Sequence, residues 1–160
     1  MLPQRKPNRL KNYDYSSPNA YFITFCTDGR RNLLWDDVGA SITRPQDVHL
    51  SHYGRLADRV INDIPKHYPM ITVDRYTVMP NHVHLLLQIH SDPEGRAVPA
   101  PDISRVVQQV KGVITKRIGF NIWQKLFHDH VIRNQNEYDL VWRYIDTNPL
   151  KWEEDCFYTE

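Results

Sequence analysis

A chain of 160 residues is long enough for one domain with a buried core, and 41% hydrophobic with 24% charged residues is the composition of a folded, soluble protein. A net charge of +1 argues neither for nor against a polyanionic partner, and two cysteines, Cys26 and Cys156, exclude a disulfide framework and a zinc ribbon. No apolar run approaches the roughly 18 residues of a membrane span, and the basic N-terminus has no apolar segment behind it, so a cytoplasmic protein without a membrane partner is expected.

Residues 1–18 read as a basic arm and 149–160 as a C-terminal tail, both belonging to a single domain of residues 1–160. The first strand is expected over 21–27, rich in β-branched and aromatic side chains and stopped by Asp28-Gly29. Residues 36–46 read as a loop or weak hairpin. Ser51 is placed to cap a helix running to about Lys66, with Leu56, Val60 and Ile64 on one stripe and Pro65 and Pro69 bracketing its end. A second strand over 71–79 turns at Pro80-Asn81 into a third over 83–89. Residues 91–101, with four prolines and glycines among them, form an exposed loop. A second helix spans 103–118 on the stripe Ile103, Val106, Val107, Val110 and Ile114. A fourth strand lies near 126–132. The last helix runs from about Gln135 to Asn148, because Pro149 disfavours helical geometry in the residue before it. The order β-α-β-β-α-β, then a helix, is that of an α+β, ferredoxin-like split βαβ fold with a central antiparallel sheet and an added C-terminal helix. Many functions share that architecture.

The third strand carries the chemistry. In Asn81-His82-Val83-His84-Leu85-Leu86-Leu87 the two histidines are one residue apart, so in a strand they share a face, while Val83, Leu85, Leu87 and Ile89 face the core. The first and third strands of such a sheet are central and two helices cover one face. His82 and His84 are therefore expected on the uncovered face, open to a substrate. Two histidines do not make a structural zinc site, which takes four protein ligands, but they suit an open catalytic site completed by water, substrate and one more side chain. In the C-terminal helix Tyr138, Val141, Trp142 and Ile145 form the apolar stripe, and Tyr144 at its edge shares a face with Asn148. Spacing alone does not single out Tyr144 among nine tyrosines, and packing is the ordinary role of a tyrosine in that place.

Five blocks occur in order: Tyr21 to Thr27; Met79-Pro80-Asn81-His82-Val83-His84-Leu85-Leu86; Val107-Gln108-Gln109-Val110-Lys111-Gly112; Phe127 to Arg133; and Tyr144-Ile145 with Asn148-Pro149. Together they resemble the single-tyrosine HUH transposases, and within them the REP-associated tyrosine transposases, bacterial proteins linked to repetitive extragenic palindromes. The resemblance spans about residues 9–152. It implies that His82 and His84 ligate a divalent ion, Mg²⁺ or Mn²⁺, and that Tyr144 is the nucleophile. Asn148 falls where the insertion-sequence branch has a glutamine as third ligand; one methylene shorter, it would ligate directly or through water. The activity implied is cleavage and rejoining of single-stranded, hairpin-forming DNA through a 5′-phosphotyrosine, by a monomer or a homodimer. A DNA-hairpin-binding module that no longer cuts, and a nuclease that uses a metal-bound water, are the other readings.

The basic residues Arg5, Lys6, Arg9 and Lys11 of the arm, and Lys111, Lys116 and Arg117 of the second helix, are candidates for phosphate contacts. The acids collect after Asn134, as an acidic rim beside that basic surface. His128 and His130 form a second pair with Asp129 between them, and His130 and Arg133 are candidates to bind phosphate or support a ligand.

Overall fold

The computed structural model describes residues 9–37, 42–44, 47–92, 94 and 101–159. Four strands, β1 (Ala20–Cys26), β2 (Ile71–Val78), β3 (His82–Ile89) and β4 (His128–Val131), form one sheet in the order β2-β3-β1-β4. All neighbours are antiparallel, and the central pair is registered by Ile23 opposite Leu85 and Thr24 opposite His84. The order and directions are those of the split βαβ fold expected from the element pattern.

Helices α1 (His52–Asn62) and α3 (Ile103–Ile118) cover one face of the sheet. Ser51 caps α1 by accepting from the Gly54 N–H, and Asp102 caps α3 by accepting from Ser104. Gly119 ends α3 at φ 98, a left-handed position that suits glycine. Leu56, Ala57, Val60 and Ile61 of α1 meet the five expected side chains of α3 and the sheet residues Tyr21, Ile23, Phe25, Val83, Leu85, Leu87 and Ile89. The helix expected up to Lys66 is interrupted at Asp63, and a short helix α2 (Ile64–His67) follows. Pro65 supplies the break, since it has no N–H to donate to the Ile61 carbonyl.

The opposite face is not open. Helix α4 (Gln135–Thr147) lies across it, burying Ile145 against Leu86 and Ile132, with Phe22, Tyr138, Val141 and Trp142 packed around them. Asn148 keeps helical angles (φ −58, ψ −42) despite the proline after it, and tight 3-10 turns continue over Asn148–Glu154. Pro149 sits at the start of those turns, where an N–H has no intrahelical partner to lose. The tail expected after residue 149 is thereby folded back onto the sheet. Among the described residues, no helix is long and apolar enough to cross a membrane.

Candidate metal and nucleophile site

β3 does project His82 and His84 to one face, away from Val83 and Leu85. The accessibility expected for them is corrected, because His82 is 0% and His84 1% exposed. The cover is local. The Phe157 ring lies 4.6 Å from that of His82, and the Tyr144 and Phe22 rings each lie 5.2 Å from that of His84. Polar partners orient both imidazoles. Asn81 Oδ1 accepts from His82 Nδ1 at 2.8 Å, which leaves His82 Nε2 with its lone pair. His84 Nδ1 faces the Thr24 hydroxyl at 2.7 Å. A hydroxyl both donates and accepts, so His84 can hold its proton on Nε2, donated to His82, or on Nδ1, with both Nε2 atoms free to ligate.

The two Nε2 atoms are 3.0 Å apart. Adjacent ligands of an octahedral ion at about 2.1 Å are separated by about 3.0 Å, so the spacing of the pair matches two adjacent ligands of such an ion. Two oxygen donors complete the cluster. Asp155 Oδ2, on a fully buried side chain, lies 3.8 Å from His82 Nε2, and the His82, His84 and Asp155 ligand atoms all fall within 4.8 Å of one another. Asn148, 3% exposed, donates from Nδ2 to Asp155 Oδ2 at 2.6 Å. Its Oδ1 is buried and meets no hydrogen-bond partner of normal geometry among the described residues, although the Asn148 side chain lies close enough to His82 to oppose the fall of its pKa. An unsatisfied buried carbonyl oxygen costs about 1–3 kcal/mol and calls for an unseen partner. Two imidazoles, one carboxylate and one amide oxygen suit a divalent ion of hard to borderline character.

Electrostatics follow from burial. Desolvation lowers His82 to about 4, against an opposing pull from Asp155. It drives His84 well below its ordinary value, helped by His82. Both rings are thus neutral, as ligation requires. Tyr144 is pushed up to about 12, first by burial and then by the Asp155 charge. Its side chain is half-exposed and lines a cavity of about 350 Å³ with Thr147, Asn148, Lys151, Asp155 and Cys156. A larger cleft of about 590 Å³ lies at the other end of α4, between Asn19, Gln88, His90, Arg133 and Gln135. Of the cluster, Asn148 and Asp155 line the smaller one beside Tyr144, and the two histidines lie behind them.

The structure therefore brings His82, His84, Tyr144 and Asn148 together. Asp155 was not singled out among the acids of the C-terminal rim, and no local spacing marks it. The basic candidates are dispersed. Arg5 and Lys6 lie outside the described residues. Arg9 is ion-paired with the buried Asp129 carboxylate at 2.8 Å and stacks over Tyr15 at 4.2 Å. Lys111 donates to the Gln124 and Leu126 carbonyls at 2.9 and 3.3 Å, and burial lowers its pKa. His130 pairs with Glu137. Lys11, Lys116, Arg117 and Arg133 are exposed; Lys116 and Arg117 end α3, on the far side of the sheet from the histidines.

No family model matches the chain. An uncharacterized protein of Haemophilus influenzae is 28% identical over 99% of this chain and 96% of its own length. A REP-associated tyrosine transposase of Escherichia coli is 34% identical over 49% of this chain and 44% of that protein, and a putative one of Haemophilus influenzae is 28% identical over 89% and 77%. A solved REP-associated tyrosine transposase bound to a REP hairpin shares the fold, with a TM-score of 0.59 and 21% identity over 89% of this chain and 73% of that one. The chain is thus similar to REP-associated tyrosine transposases in sequence and similar to one of them in fold.

Proposed function

We propose that this chain is itself a REP-associated tyrosine transposase, which cleaves and rejoins single-stranded, hairpin-forming DNA through Tyr144. The observation that carries the reading is the convergence of His82, His84, Asn148 and Asp155 beside Tyr144, whose ring is 5.2 Å from that of His84.

His82, His84 and Asp155, with the free Oδ1 of Asn148, would hold Mg²⁺ or Mn²⁺; the two imidazole donors favour Mn²⁺. When bound, the ion polarises the scissile phosphate and offsets the Asp155 charge that raises the Tyr144 pKa. The phenolic oxygen of Tyr144 attacks the phosphorus in line as its proton leaves, and the 3′-oxygen departs and takes up a proton. The product is a 5′-phosphotyrosine, whose bond energy allows a 3′-hydroxyl to reverse the step without ATP. Phe157 and Phe22 keep water from the imidazoles, and Thr24 and Asn81 hold them in place. Tyr144 lies beside the histidines of its own chain, so a monomer would suffice for the reaction, and a homodimer would not need to exchange its tyrosines. The exposed Lys11 and Arg133, with Arg5 and Lys6, would contribute phosphate contacts, whereas Lys116 and Arg117, across the sheet from the histidines, would meet only DNA that extends around the domain.

The burial of both histidines favours one alternative, a hairpin-binding module that does not cut. Incubation of the protein with labelled single-stranded hairpin DNA and Mn²⁺ separates the readings. The transposase cleaves, and neither Tyr144→Phe nor His84→Ala does. Binding without cleavage would establish the module, and cleavage that survives Tyr144→Phe a nuclease acting through water.

A further inference from the structure

Asn81 is fully buried, and its side-chain amide is used at both ends. Oδ1 accepts from His82 Nδ1 at 2.8 Å, while Nδ2 donates to the carbonyl of Phe157 at 2.7 Å and to that of Arg30 at 3.3 Å. Phe157 is bonded on its other side to the cluster: its N–H donates to Asp155 Oδ1 at 2.8 Å, and Asp155 Oδ2 accepts from Asn148 at 2.6 Å. A circuit results, running from His82 through Asn81, Phe157 and Asp155 back to within 3.8 Å of His82.

We infer that Asn81 is a positioning residue that couples the seating of Asp155 to the orientation of His82. The inference rests on the metal reading above. A turn residue needs none of this; the backbone carbonyl of Asn81 already accepts from Thr27 N at 2.9 Å and Thr27 Oγ1 at 3.2 Å. The side chain adds what the turn does not require: one rigid amide plane that fixes an imidazole and a strand of tail together. Partners that orient metal ligands in this way are worth about 10–100-fold in metal affinity.

The test is a thermodynamic cycle on the full chain, with Mn²⁺ affinity measured by calorimetric titration of wild type, Asn81→Ala, Asp155→Ala and the double variant. Asn81→Ala is expected to weaken Mn²⁺ binding about 10–100-fold in the wild-type background and by less than about a third of that factor once Asp155 is gone. Hydrogen exchange is expected to show the amides of residues 157–159 losing protection in Asn81→Ala while those of β1 and β3 keep theirs. An equal loss in both backgrounds, or an unchanged tail, would overturn the inference. Should Asn81→Ala not fold, Asn81→Asp, which keeps the acceptor and removes the donor, takes its place with the same two criteria. If wild type binds no Mn²⁺, the metal reading fails, and the tail exchange still decides whether Asn81 holds Phe157.

Discussion

Removal of a proton site from the buried pair is expected to flatten the acid limb of stability. In the metal-free protein His82 falls from 6.5 to about 4 because burial disfavours its cation. Between those values the unfolded chain binds more protons than the folded one, so stability is full above pH 6.5 and is lost as pH falls toward 4. At pH 5 the unfolded imidazole is almost wholly protonated and the folded one about a tenth so, which corresponds to about 2 kcal/mol for this group. His84 is shifted in the same direction and adds to the loss. Urea unfolding in EDTA at pH 7 and pH 5, for wild type and His82→Gln, separates His82, together with its push on His84, from the histidines outside the pair. Wild type is expected to lose about 2 kcal/mol more than the variant between the two pH values. Equal losses, within about 0.5 kcal/mol, would refute the claim that His82 is buried as a neutral base.

Gly54→Ala is expected to destabilise strongly, because its Cβ would stand 2.1 Å from the Leu34 carbonyl oxygen, itself the acceptor of the Ser51 N–H. A loss of about 2–4 kcal/mol, read as a Tm lower by roughly 5–15 °C, is the expected result. Lys111→Met keeps an apolar stem but strips the Gln124 and Leu126 carbonyls of their donor and removes the ammonium from over the Phe25 and Phe127 rings. It is expected to cost about 1–3 kcal/mol in urea unfolding with little change in DNA affinity, whereas a phosphate contact would show the reverse. Asn148→Ala removes the unpartnered Oδ1 together with the bond to Asp155. It is expected to shrink the Mn²⁺-dependent rise in stability by about 1.4 kcal/mol for each tenfold loss of affinity, measured by melting with and without Mn²⁺.

Much of this arrangement was legible in the chain because it depends on short periods. The alternation along β3 separates Val83 and Leu85 from His82 and His84, and the stripe of α3 matches its core side chains and its bounds. The stripe Tyr138, Val141, Trp142 and Ile145 likewise identifies the buried side of α4. What no period records is the object that a stripe faces. The stripe of α4 packs on the histidine face itself, so the face expected to be open is closed. Asp155 reaches His82 through a series of tight turns, seven residues beyond Asn148, with no repeat to mark it. Lys111 looks like its neighbours Lys116 and Arg117 in sequence, and only the return of the chain at Gln124 and Leu126 engages its ammonium.

The most direct test of the central claim is mass spectrometry of the protein after reaction with single-stranded hairpin DNA and Mn²⁺, denaturation, and digestion by protease and nuclease. The account predicts one modified peptide, carrying a nucleotide through its 5′-phosphate on Tyr144, and none from Tyr144→Phe. A covalent adduct on another residue, or strand cleavage with no adduct at all, would contradict it.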